Sequence, residues 1–345
     1  MTPRHNHYDE HDEHSHCCGG HDEDCCGGAH EDDTPYSVRA RQLEILERVL
    51  NRMVKEGNFA TAEEGSQHIE SLLAQMPPEE VFLQLELTPE EKSLLLVAEV
   101  ARAESQEQAE KLLHKALEID PNNIDAQVLL LEADDPATEA IHLEKIVRKA
   151  EETLGPDFFV AKRGQFYSDP ETRPYLRARQ ALMVALGTAK NYDGAIKEAE
   201  GILDLCPQDH LGVRDYLAGY YLASSQYDKA LDLLDKRYEA DDGAVFQYAR
   251  MMVHHKLGHE TDAEEALEAA LEANPYVLPV LLGVLNAEEL AEDMTPGSPG
   301  QALYVIGALY DAMLENEPAM EWAANRWVER MRAMHTYGED SEEES

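Results

Sequence analysis

Apolar residues recur at intervals of three and four along nearly the whole stretch from about residue 36 to residue 333, and strict alternation is scarce, so the pattern predicts amphipathic helices and no sheet. The pattern itself repeats. Asn191-Tyr192-Asp193-Gly194-Ala195-Ile196 returns 35 residues later as Gln226-Tyr227-Asp228-Lys229-Ala230-Leu231, and Thr261-Asp262-Ala263 takes the same place a further 33 residues on. Ala195, Ala230 and Ala263 are small enough to let the second helix of each unit press onto the first. Ala199 and Ile202, Leu234, and Leu267 with Ala270 continue the same stripe. Pro207 and Pro275 close units two periods apart, and Pro121 and Pro156 stand one period apart upstream, each ending a helix by removing a donor and crowding the preceding turn. Thr88-Pro89, Asp169-Pro170 and Ser298-Pro299 each offer a cap residue followed by proline at a first helical position.

The predicted fold is therefore all-α, a solenoid of antiparallel helix pairs with disordered ends. Its parts are a His/Cys/acidic tail at 1–34, a helix pair and connector at 35–88, repeats at 89–292, capping helices at 293–334 and an acidic tail at 335–345. Repeat units are expected near 89–122, 123–156, 171–209, 210–243 and 244–277, the second of them degenerate.

The spacing of Tyr192, Ala195 and Pro207, with Leu257-Gly258 at a helix end, resembles the tetratricopeptide repeat. More narrowly, Glu171-Thr172-Arg173-Pro174-Tyr175-Leu176-Arg177-Ala178-Arg179, Ala273-Asn274-Pro275-Tyr276-Val277-Leu278-Pro279 and the Gly297-Ser298-Pro299 helix start resemble bacterial members of the suppressor-of-tumorigenicity-seven-like repeat family, over roughly residues 90–325. That resemblance implies a repeat fold with no established catalytic activity.

A formal net charge of -41 changes the expectation about partners, because an acidic surface repels phosphate backbones and anionic membranes; neither nucleic acid nor membrane is expected. The longest nearly apolar run, Val277 to Leu285, is far short of a bilayer span, and no basic-then-apolar leader precedes the helices, so a cytoplasmic location is expected. Four of the five cysteines lie in the tail as two vicinal pairs, leaving Cys206 alone in the helical body, where no disulfide framework can hold the fold. Cys206 reads as a small buried hydrophobe with no base beside it.

The tail carries the densest chemistry. His14, His16, Cys17, Cys18 and His21 are followed by a near repeat in Cys25, Cys26 and His30. Thiolate and imidazole suit zinc, nickel or copper. The vicinal spacing argues against a structural zinc finger, and two readings stand: transition-metal handling, with the repeats as a docking module, or a solvated low-complexity tail with incidental affinity.

On the first helices of successive units lie Arg173, Arg177, Arg214 and Arg250 with Tyr175, Tyr216 and Tyr248. First helices line the concave face of such arrays, so these side chains are the candidate grip for an acidic or carboxylate-ended segment of another protein; the competing reading makes them core tyrosines and salt bridges between units. Gln180, Val184, Asp215 and Gly219 stand where chaperone-tail clamps carry Lys and Asn, which disfavours that class of partner. His254, His255 and His259 read as ordinary surface or packing histidines, since Gly258 ends the helix between them. Phosphate-binding glycine loops, Gly-x-Ser-x-Gly, His-Glu-x-x-His and dinucleotide fingerprints are all missing. The function expected from sequence is a non-catalytic scaffold for protein–protein interaction that requires no cofactor.

Overall fold

The computed structural model describes residues 38–286 and 293–342, without the side chains of Ala62 and residues 334–342. All regular structure in these residues is helical. The N-terminal block contains α1 (Val38–Lys55), α2 (Ala62–Leu73), α3 (Pro78–Gln84) and α4 (Pro89–Ala98). Next come α5 (Gln106–Ile119), α6 (Ile124–Leu129), α7 (Pro136–Leu154) and α8 (Pro156–Lys162). The regular pairs are α9 (Arg173–Thr188) with α10 (Tyr192–Leu205), α11 (Val213–Ala223) with α12 (Tyr227–Asp232), and α13 (Ala244–Leu257) with α14 (Glu260–Ala273). A short α15 (Val277–Leu281) precedes α16 (Pro299–Glu315) and α17 (Glu317–Glu342).

The repeat register holds at atomic level. Ala195, Ala230 and Ala263 are all buried at the contact between the two helices of their pairs. The turn inside each pair also recurs: Lys190, Ser225 and Gly258 all adopt left-handed φ values of 58° to 75°. Only the last is glycine, so the first two turns carry a strain that packing holds in place. Thr88 and Ser298 cap α4 and α16 with proline in the first turn, as the cap-proline pairs predict. Asp169-Pro170 does not start a helix. The Thr172 hydroxyl bonds to the Phe166 and Asp169 carbonyls, which keeps 165–172 in turns, and α9 begins at Arg173 with Pro174 as its N-terminal proline. The last helix runs on to Glu342, past residue 333 where the apolar pattern fades; no proline stops it.

Apolar packing divides into three clusters: one among α1–α4, a small one among α4–α6, and a large one from α7 to α17. A buried ionic seam joins the first to the last. Arg177 on α9 donates to Glu44 on α1 at 2.8 and 3.0 Å and to Asp125 on α6 at 2.7 and 2.9 Å. Arg41 adds a 2.8 Å contact to Asp125, and Arg48 reaches the Pro170 carbonyl at 2.6 Å.

The C-terminal pair does not merely cap the array. Helix α16 turns back and packs along the first helices α11, α13 and α15. Gly219 makes this possible, since a Cβ there would run into the Ala308 carbonyl oxygen. Tyr304 donates to Asp215 at 2.9 Å across the same contact, and its ring meets Tyr216 edge-on at 6.3 Å.

Candidate partner-binding site

The structure commits the arginines singled out from sequence to partners within the chain. Arg173 pairs with Glu47 of α1 at 2.7 Å, donates to the Tyr167 carbonyl and lies over the Tyr167 ring. Arg177 is buried in the seam. Arg214 reaches Asp241 at 3.0 Å and covers the Tyr238 ring. Arg250 donates to the carbonyls of Leu234, Tyr238, Glu239 and Asp241, closing the end of the second helix of its neighbouring unit.

The tyrosines are similarly engaged. Tyr175 is buried with its hydroxyl on Glu151 at 2.8 Å, and Tyr248 is buried with its hydroxyl on the Asn274 carbonyl at 3.2 Å. An incoming carboxylate would have to displace α1 or α16 to reach Arg177 or the inner side of α11. The metal-ligand set His14, His16, Cys17, Cys18, His21, Cys25, Cys26 and His30 lies outside the described residues.

Cys206 is buried as expected, but a base does stand beside it: the His210 Nδ1 is 3.4 Å from the thiol sulfur, its ring stacked on Tyr167. Burial pushes the thiol upward and His210 downward, so neither thiolate nor imidazolium is favoured and the pair lacks the activation of a nucleophile.

What the structure brings together instead is an apolar channel on both flanks of α16. On one side Leu278, Leu281, Leu282, Met313, Leu314 and Met320 line a cavity of about 680 Å³ between α15, α16 and α17. On the other, Val184, Tyr216, Tyr220 and Gly307 line one of about 510 Å³ toward α9 and α11. Tyr310 and Leu314 belong to both walls. They are 55% exposed, and Leu282 is 46% exposed, so this is a contiguous apolar surface and not a scatter of single residues. Its rim is acidic: Asp311, Glu317 and Glu321 line it, and Glu315 is exposed at the end of α16. Lys190 is the cation among the lining residues.

Two carboxyls, Asp215 half-buried behind the channel and Asp125 buried in the seam, respond oppositely to their surroundings. Burial is the largest influence on Asp125 and would raise it, but Arg177, Arg41 and Arg48 together bring it down to about 2. Burial pushes Asp215 up to about 6, against the hydrogen bond from Tyr304 and the charge of Arg214. Since the folded value of Asp215 lies above the ordinary carboxyl value, its contribution to stability is full below about pH 4 and is lost as pH rises through 6. Asn at this position does not titrate and still accepts from Tyr304. The Asp215→Asn protein is therefore expected to gain on the parent as pH rises, reaching about 2 kcal/mol at pH 7. Urea unfolding of both proteins at pH 4 and pH 7 checks this; a difference independent of pH would mean Asp215 titrates normally.

Residues 182–342 match the family model described as transcriptional repressor TCF25. The match runs from within α9 through α17 and contains the whole apolar channel; α1 to α8 and Arg177 lie outside it. No curated protein matches the chain. The match overturns the exclusion of nucleic acid drawn from net charge, because a family described as acting in transcription brings nucleic-acid association back into play. It gives no direct support to the narrower resemblance drawn over residues 90–325, and leaves a helical, repeat-like array as the common ground. No helix among the described residues is long and apolar enough to cross a membrane.

Proposed function

We propose that this chain is a non-catalytic, tetratricopeptide-like adaptor that holds a partner protein in the apolar channel along α16. The observation that carries the reading is the joint exposure of Leu281 and Leu282 at the end of α15 and of Tyr310 and Leu314 on α16, two helices that otherwise bury their apolar faces. An apolar floor with an acidic rim suits one chemistry best: an amphipathic segment, apolar on one face and flanked by Lys or Arg. The family description supports a regulatory role for the assembly and directs attention to the nucleus in place of the cytoplasm expected from composition.

The test is a photo-crosslinking amino acid placed at Tyr310 in the full chain, with the exposed Lys111 as a control position. A crosslinked protein specific to position 310, whose attached peptide is amphipathic and basic, is the expected result. Leu314→Asp should weaken that complex by about tenfold or more, since it buries a charge against apolar surface. A crosslink unaffected by Leu314→Asp, or an acidic crosslinked segment, would defeat the reading.

A further inference from the structure

Helix α13 ends at Gly258, where the sequence places its end, but the turn there brings together side chains that a helix end alone would not. Gly258 adopts φ 75°, and the His259 N–H returns to the His254 carbonyl at 3.0 Å while the Gly258 N–H bonds to the His255 carbonyl at 3.1 Å. This closing turn folds the His259 ring back beside the last turn of α13. Histidines five positions apart, which a continuing helix would send to different faces, thus place their Nδ1 atoms 3.2 Å from each other. Asp262, in the first turn of α14, brings a carboxylate oxygen to 3.9 Å from the His254 Nδ1. One ligand atom from each of the three side chains lies within 4.8 Å of the others.

The opposite edge of His254 is also supported. Asp235 comes from the π-wound segment Leu233–Arg237, and its Oδ2 lies 3.4 Å from the His254 Nε2. The other Asp235 oxygen accepts from Arg250 at 3.3 Å, which fixes the carboxylate. A proton on Nε2, facing Asp235, leaves the Nδ1 lone pair directed at His259 and Asp262. This is the carboxylate–histidine arrangement that orients imidazole ligands behind a metal ion. Two nitrogens each about 2.0–2.1 Å from a tetrahedral ion stand roughly 3.3 Å apart, close to the separation seen here.

We propose that His254, His259 and Asp262 bind a borderline divalent transition-metal ion, zinc in the first instance, at the turn between α13 and α14. Two imidazole nitrogens and one carboxylate oxygen are the donors such an ion accepts, and three protein ligands leave a further position for water or a partner's side chain. His259 and Asp262 are exposed, which gives the ion its entry, whereas His254 is mostly covered and held from behind. His255 packs at a tilt against the Trp322 ring and takes no part. The bound ion would tie the end of α13 to the start of α14.

The experiment uses the full-length chain with the tail cysteines changed to serine and the tail histidines to glutamine, so that the tail does not compete. Calorimetric titration with zinc is expected to show a single equivalent, and zinc should raise the thermal unfolding midpoint. His259→Gln and Asp262→Asn, both at exposed positions, should each weaken binding at least about tenfold and abolish that thermal shift; Asp235→Asn should weaken it by about tenfold through orientation alone. His255→Gln should leave the titration unchanged. No zinc binding by the tail-silenced chain, or binding by His259→Gln equal to its parent, would overturn the proposal and leave the histidine contact as a hydrogen bond only.

Discussion

Replacing Arg177 with methionine should cost about 3–5 kcal/mol of stability, the range for breaking a buried ion pair from one side. The side chain is nearly isosteric along its stem, so little packing is lost. What is lost is the shared cation of Glu44 and Asp125, two carboxylates that sit in the seam with almost no access to water. Arg41 and Arg48 remain as partial partners, which places the effect within that range and not above it. Urea unfolding followed by helical circular dichroism measures the loss, and adding Glu44→Gln and Asp125→Asn to the same chain should recover much of it. The pH dependence supplies an independent check. Asp125 is held at about 2, below its ordinary value, so its contribution is present above about pH 4 and is lost as pH falls toward 2, amounting to about 2 kcal/mol. In the Arg177→Met protein this acid-dependent loss should shrink sharply. An unchanged urea midpoint at pH 7 would mean that water already solvates the seam.

Gly219→Ala is the second large effect, expected to destabilise the fold by about 3 kcal/mol, at the upper end of ordinary overpacking. The added methyl meets the Ala308 carbonyl, a backbone atom in the middle of α16 that cannot rotate away. Either α16 lifts from α11, opening the Tyr304–Asp215 hydrogen bond, or α11 bends. Gly307, on the exposed side of α16, provides the control. A Cβ there meets nothing within 4 Å, so Gly307→Ala should stabilise by about 0.5–1 kcal/mol through helix propensity alone. Thermal unfolding of the two variants should thus move in opposite directions. A Gly219→Ala protein that melts like the parent would show that α16 is not seated on α11.

The local parts of this fold were legible because they depend on residues close in sequence. Ala195, Ala230 and Ala263 mark close helix contacts within a unit, and Thr88-Pro89 and Ser298-Pro299 mark helix starts. The position of α16 was not legible, since nothing in its periodicity says that it folds back more than 80 residues to lie on α11. Arg177 leaves two readings open in the sequence for the same reason: a cation on the inner side of a first helix looks available until Glu44, 133 residues away, is brought onto it. The channel did leave a signal that went unread. From Ala302 to Leu314, α16 is apolar almost all round, yet only Ala302, Val305, Ala308, Leu309, Ala312 and Met313 are buried. A helix with more apolar surface than its own fold covers has a second face to satisfy. A helix end at Gly258 argues from sequence for separating His254 from His259, yet the left-handed turn there is what folds the second ring back onto the first.

Open solenoids behave as springs: small rotations between neighbouring units add up, and the inner radius widens or narrows as a ligand enters. Here α16 lies in the bore of the spring, touching α11, α13 and α15 along its length. A coil wound on a rod cannot tighten, and it cannot open without shedding the rod. Curvature of this part of the array is therefore set by the diameter of one α-helix, not by whatever binds it, and a partner settling beside Tyr310 and Leu314 meets a surface already in its final shape, with little ordering entropy left to lose.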